Sequence, residues 1–336
     1  MISKTTTGLP KIDVHCHIYP NEYLHLLRSY GQVYRDARRG ISFIVESRRE
    51  KQISIAIRDE MWDINLRLKM MQRLGIDFSV LSIGNPWLNC IPQNDSKKVA
   101  RLVNSMLRDI VKDYPGKFAA IGVLPLNDPG KIGDEIDFAV DELGMRGFMI
   151  PTQVRGRTTI CKDYIQIFRE CSRKRVPLYI HPWVGPEIAR LYEQSDIASI
   201  LFPAETSLAA RKVLGLNLLD RFPNLSVILS HLGGTLPFIV GRIEREVEPL
   251  SFKRETGILS YFKRFFLDSI IYNLPAFKLA TDIWGADKIL FGTDFPYAWS
   301  NRYDKTVSIV ERSGNSKSER ESIFSKNAIS LFDLSV

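Results

Sequence analysis

Asp13-Val14-His15-Cys16-His17 is the densest group of metal-binding side chains in the sequence. It follows Pro10-Lys11-Ile12, which reads as the start of a strand. Side chains alternate along a strand, so His15 and His17 share a face and their imidazoles can chelate one ion. Only five histidines occur in 336 residues. Taken alone, the pair also fits a polar strand terminus with solvated rings. What decides between the two readings is the position of the other histidines.

Along the chain, short apolar runs alternate with helical periodicity. Phe78–Ile83, Phe118–Leu124, Gly147–Ile150, Val176–His181, Leu225–His231, Phe265–Ile271 and Lys288–Asp294 read as strands after the first. Helical spacing of apolar residues marks Asp63–Leu74, Asp95–Tyr114, Pro129–Leu143, Tyr164–Lys174, Ala204–Leu219 and Ala276–Trp284. Residues 18–60 read as an irregular insertion after the first strand, with a small hairpin around Ile41–Val45. Eight such strands predict an α/β fold of the (β/α)8 barrel type in one domain spanning residues 1–336. The runs are nearly continuously apolar, as parallel strands covered on both faces require. A doubly wound open sheet is the competitor, but no G-x-G-x-x-G fingerprint follows the first strand.

In such a barrel, chemistry collects at the C-terminal strand ends. The first strand ends in His15 and His17, the fifth in His181, the sixth in His231 and the eighth in Asp294. Only His25 lies elsewhere, in the insertion. Three imidazoles and one carboxylate make a ligand set for one divalent ion. Zinc suits nitrogen-rich donors, and manganese, iron or cobalt fit the same set. Geometry decides which four groups bind. If His15, His17, His181 and Asp294 do, His231 is left beside the metal to move protons.

Composition bounds the partners. The net charge is +8, from 46 Lys and Arg against 38 Asp and Glu, and the basic residues are scattered. Short clusters such as Arg38-Arg39, Arg48-Arg49 and Arg173-Lys174-Arg175 form no basic stripe with interleaved aromatics, so nucleic acid is not expected. A mildly positive field favours small anionic substrates. The four cysteines (Cys16, Cys90, Cys161, Cys171) form no C-x-x-C pair and read as free thiols of a reducing compartment. The first residues carry no apolar signal region, and no apolar run approaches the roughly 18 residues of a membrane span. A cytoplasmic protein without membrane contact is the expectation.

Seven segments occur in one order: Asp13–His17, His181-Pro182-Trp183, Phe202-Pro203-Ala204-Glu205-Thr206, His231-Leu232-Gly233-Gly234, Gly241-Arg242, Arg264–Ser269 and Gly292-Thr293-Asp294-Phe295-Pro296. Together they resemble the amidohydrolase-related decarboxylases typified by aminocarboxymuconate semialdehyde decarboxylase. The resemblance spans residues 10–334. It implies a distorted (β/α)8 barrel, one divalent metal (usually zinc) and a homodimer. By the same resemblance His15, His17, His181 and Asp294 are metal ligands, and His231 is the acid/base beside a metal-bound water. Arg242 matches an arginine that reaches the neighbouring subunit's substrate carboxylate. Arg58, in the insertion, loosely matches a second substrate arginine, and Trp183 is a candidate for the pocket wall. Leu232 stands where the family pattern has glycine, a departure that bears on substrate identity.

The expected reaction is non-oxidative decarboxylation of a small aromatic or muconate-type acid, with His231 passing a proton to or from the metal water. A mononuclear hydrolase or lactonase, with Asp294 as the proton shuttle, is the alternative. No lysine stands in Gly147–Pro151 to bridge two metals. A barrel that binds a ligand without turning it over is a third reading.

Overall fold

The computed structural model describes residues 9–31, 33–36, 41–44, 55–247, 257–297 and 303–336. Arg38-Arg39, Arg48-Arg49 and the chain before residue 9 lie outside the described residues.

Eight parallel strands form the core: β1 (Ile12–His17), β2 (Phe78–Ser82), β3 (Phe118–Ala120), β4 (Phe148–Pro151), β5 (Leu178–His181), β6 (Val227–Leu229), β7 (Phe266–Asp268) and β8 (Ile289–Leu290). The strands β1–β3 and β4–β8 form two arcs. Neighbours within an arc pair in parallel, as His17 does with Ser82 and His181 with Pro151, with one register shift between Asp13 and Cys16 in β1. Single parallel bridges join the two arcs, Gly122 with Phe148 on one side and Cys16 with Phe295 on the other. Main-chain bonds from Val14 N to Phe291 O (2.9 Å) and Asp294 N to His15 O (2.7 Å) complete the second seam. The result is a closed but distorted (β/α)8 barrel. Nearly every strand residue is buried, as expected of a sheet enclosed by helices.

Between the strands run α2 (Ile64–Leu74), α3 (Gln93–Asp113), α4 (Ile132–Asp141), α5 (Ile165–Lys174), α6 (Phe202–Gly215), α7 (Leu236–Val247) and α8 (Leu274–Trp284), after α1 (Asn21–Ser29) in the insertion. Local sequence sets their limits. The Asp63 carboxylate accepts from Asn65 N (2.7 Å) and caps α2, and Gly75, with φ +65°, stops it in the left-handed conformation. Asn273 caps α8 by accepting from Ala276 N. Val99, Ala100, Val103 and Leu107 bury one face of α3.

The insertion differs from its sequence reading. Residues Asn21–Ser29 are helical because Tyr23, Leu24 and Leu27 together make a buried face. The expected hairpin is part of a three-stranded antiparallel sheet, Val33–Asp36, Ile41–Ile44 and Ile55–Ala56. Its third strand has two residues, too few for an alternation pattern to announce it. No described helix is long and apolar enough to cross a membrane.

Candidate metal centre and its surroundings

His15 and His17 end β1, His181 ends β5, and Asp294 stands in the turn after β8. The structure brings one ligand atom from each within 4.8 Å of all the others. Three of these groups are almost completely buried.

The imidazoles are held by their outer nitrogens. Nδ1 of His15 lies 2.6 Å from the Asp268 carboxylate, and Nδ1 of His181 lies 3.1 Å from Pro182 O. Nδ1 of His17 lies 3.1 Å from Ser82 Oγ, whose own hydrogen goes to Cys16 O at 3.0 Å. Each Nδ1 therefore donates, and each Nε2 keeps its lone pair. These lone pairs converge. Nε2 of His15 and of His17 are 3.1 Å apart, and both are 3.5 Å from Asp294 Oδ1. His181 Nε2 and Asp294 Oδ1 are buried with no hydrogen-bond partner among the described residues. Acceptors crowded on one point without a donor between them repel one another, and a cation removes that cost. The residues fit a divalent ion, with donors of the kind that bind zinc and manganese.

Electrostatics agree. Burial pushes the His17 imidazole down to about 4 and holds His181 well below its usual range. Both are thus neutral ligands at ordinary pH. Burial also opposes protonation of His15, but the Asp268 charge and hydrogen bond outweigh it and raise that group. Asp268 is itself held down to about 2: burial works against this, and the His15 charge and hydrogen bond overcome it.

Asp268 is the hub behind the cage. Its Oδ2 accepts from His15 Nδ1, Tyr179 OH (2.7 Å) and His231 N (2.9 Å). Its Oδ1 accepts from Leu232 N (3.1 Å) and Ile270 N (3.0 Å). One buried carboxylate thus orients a ligand and the backbone of His231 together. A second, Asp13, accepts from His15 N, Thr293 N (both 3.1 Å) and Thr293 Oγ1 (2.6 Å), and so ties β1 to the turn that carries Asp294. Arg67, from α2, is buried and donates to His17 O. Sequence reading missed Asp13 as a clamp, and it missed Arg67 and Tyr179 altogether. Asp13 was visible only as the first residue of the Asp13–His17 segment, and Arg67 and Tyr179 carry no motif signal.

His231 follows β6 with φ +53°, and Leu232 (φ +54°) and Asp294 (φ +61°) share this left-handed conformation. Strain of this kind persists where the surroundings dictate the geometry, here through Asp268 and the β1–β8 seam. Gly234 follows, where a Cβ would lie 2.0 Å from Pro203 O, so α6 packs directly on the turn. His231 Nε2 is 3.9 Å from Asp294 Oδ2, and its Nδ1 is buried without a partner among the described residues. The side chains of His231 and Asp294 are each 16% exposed, against 0% for His15 and His17. The cage therefore opens on the side of His231. Burial lowers the His231 imidazole below its usual range, so it rests as a neutral base.

Leu232 is buried, and its main chain, rather than its bulk, is what meets Asp268. Trp183 is buried, with its ring 6.1 Å from that of Trp87, which stands 5.2 Å from His181. Arg58 donates to Pro296 O, two residues beyond Asp294. Arg242 is exposed on α7. Cys16 is buried against Val80 O, on the opposite face from the two histidines.

Known proteins resemble the chain along its length. A 2-amino-3-carboxymuconate-6-semialdehyde decarboxylase of Dictyostelium discoideum is 28% identical over 308 residues, 85% of this chain and 82% of that protein. A gamma-resorcylate decarboxylase of Rhizobium radiobacter is 29% identical over 287 residues, 80% of this chain and 86% of its own length. Among solved structures, the IDCase of Metarhizium anisopliae superposes with a TM-score of 0.86 at 23% identity, covering 99% of this chain and 98% of that one. A dihydroxybenzoic acid decarboxylase of Polaromonas sp. JS666, solved with manganese and the inhibitor 2-nitroresorcinol, superposes with a TM-score of 0.79 at 26% identity, covering 97% of each chain. The family model described as Amidohydrolase matches residues 12–334, and the chain belongs to that family.

Proposed function

We propose that the protein is a metal-dependent decarboxylase of a small aromatic or muconate-type carboxylic acid. The observation that carries this reading is the four-ligand cage with a neutral, partly exposed His231 at its open side. The relatives named above, decarboxylases of such acids, support it.

His15, His17, His181 and Asp294 hold the ion, zinc first and manganese as the neighbouring structure suggests. When bound, the ion supplies Lewis-acid polarisation of a substrate oxygen. His231, neutral at rest, takes up a proton from solvent and delivers it to the carbon that loses CO2. The carbon–carbon bond breaks, its electron pair stays on the substrate carbon, and that pair takes the His231 proton. Asp268 keeps the His231 main chain in place, and Asp294 faces the imidazole and stabilises its protonated form.

Arg58 and Arg242 bind the substrate carboxylate, Arg242 from the second subunit of a homodimer, and Trp183 lines the pocket. Phe238, one turn before Arg242 on α7, is 84% exposed. An exposed aromatic ring on the helix that carries Arg242 suits a subunit interface.

The test is CO2 release from a panel of hydroxybenzoates and muconate-type acids by zinc- and manganese-loaded protein. Lactones and amides run alongside. Acid release from the lactones without CO2 from any acid would sink the proposal in favour of a hydrolase. A purified protein holding under about half an equivalent of metal, unrestored by zinc, would sink both.

A further inference from the structure

The loop between β2 and α3, residues 83–92, is unusual in where its polar groups point. Many of its carbonyls are engaged. Tyr19 donates to Asn85 O (2.6 Å) and Tyr23 to Trp87 O (2.6 Å). Asn127 Nδ2 donates to Leu88 O (2.8 Å), Asn89 O (3.3 Å) and Ile91 O (2.7 Å). Arg155 Nε and Nη2 reach Asn89 O (3.3 Å) and Ile91 O (3.0 Å). Trp87 is held at φ +50°.

Its side chains are the reverse. Asn85 Oδ1, Trp87 Nε1 and Asn89 Nδ2 are buried with no partner among the described residues, and so is Trp183 Nε1 from the loop after β5. All four residues are at most 4% exposed. Buried polar groups left unmatched are costly to stability, and each calls for a partner from outside the chain, a water or a ligand. Trp87 and Asn89 border a small cavity floored by Val123, Leu124, Leu126 and Met149. Among the described residues, no charged side chain lines it. Trp87 also stands edge-on to the metal-site residue His181, so the same indole borders the cavity and contacts the cage.

We propose that this loop, with Trp183, is a second and uncharged anchor for the substrate. It takes a ring hydroxyl, a group no larger than a water, whose oxygen receives hydrogen bonds from Trp87 Nε1 and Asn89 Nδ2. The apolar floor and the lack of charge exclude a second carboxylate from this position. The inference rests on the aromatic-acid reading above and adds the substituent pattern the enzyme selects.

The experiment is calorimetric binding of benzoate and its 3-hydroxy and 4-hydroxy derivatives to the metal-loaded protein. Wild type is compared with Asn89→Leu and Trp87→Phe. In wild type, at least one oxygen-bearing derivative should bind tenfold or more tighter than benzoate. In both variants that ratio should fall to within twofold of one, with metal content and circular dichroism unchanged. If Trp87→Phe does not fold, Asn89→Leu alone decides. A wild type with no preference, or a preference that survives Asn89→Leu, overturns the proposal, and so does a ligand-bound structure in which only water meets the two donors. Selective binding without CO2 release from any acid would instead sink the decarboxylase reading and leave the anchor standing.

Discussion

Replacing Asp268 by asparagine tests the cage through a residue that touches no metal. Asparagine is nearly isosteric and keeps one acceptor oxygen. If that oxygen stays with Leu232 N and Ile270 N, the new amide group sits where Oδ2 was. It then faces His15 Nδ1 at 2.6 Å, Tyr179 OH at 2.7 Å and His231 N at 2.9 Å, all of them donors. The tyrosine hydroxyl can turn and accept. The main-chain N–H of His231 cannot, and a buried donor left alone costs about 1–3 kcal/mol. His15 can relieve its own conflict only by moving its proton to Nε2, the atom that faces the cage. That removes one of the three imidazole lone pairs. Losing such an outer partner typically weakens metal binding about 10–100-fold, or about 1.4–2.8 kcal/mol. The assay is competition with a chelator of known affinity for Zn2+ and Mn2+, with metal per chain measured separately and circular dichroism as the check on folding. A D268N protein that binds metal within twofold of wild type would refute the tautomer argument. The assigned proton on His15 Nδ1 would then be wrong.

The remaining expectations are quick to check. His231→Ala should keep its metal by elemental analysis and lose about 10²-fold or more in CO2 release, the usual span for a proton-transfer group. Gly234→Ala places a methyl 2.0 Å from Pro203 O at φ +67°. Thermal unfolding should show a loss of more than about 2 kcal/mol, and an unchanged midpoint would mean that α6 yields easily. Phe238→Glu should turn a dimer into a monomer in analytical ultracentrifugation, and it should abolish turnover if Arg242 serves the other subunit's site. A dimer that persists would place the interface elsewhere.

The barrel and the convergence of His15, His17, His181 and Asp294 were legible because both follow strong local rules. Apolar runs of strand length, spaced by helical periodicity, announced eight parallel strands, and polar residues at their C-terminal ends announced chemistry. His181 and His231 could be seen only as members of that set, since a single histidine at a strand end has many uses. What escaped notice depends on contacts distant in sequence. Asp13 clamps Thr293, a pairing that leaves no trace in spacing, and the identity of the donors that Asp268 gathers from β1, β5 and β6 is equally invisible there. Arg67 reads as one more cation on a helix, although its guanidinium lies against the end of β1. Asn85 and Asn89 look like ordinary loop amides, since nothing in a sequence tells whether an amide will find a partner. Trp87 follows Asn85-Pro86 after β2, and nothing in that position tells of a donor left without an acceptor. In the insertion, the chain's own packing made a helix and a third strand where only a hairpin could be argued.

The seam between β1 and β8 has a consequence for synthesis on the ribosome. Asp13 and Thr293 are 280 residues apart, and the turn they share carries the fourth ligand. At roughly 5–20 residues per second, His15 and His17 emerge some 14–56 s before Asp294 does. Through that interval the nascent chain exposes a pair of imidazoles without the carboxylate that completes the cage. Metal captured early would be held by two or three nitrogens and exchanged easily. Tight loading must therefore wait until translation has passed the last strand, so metallation reports on completion of the barrel.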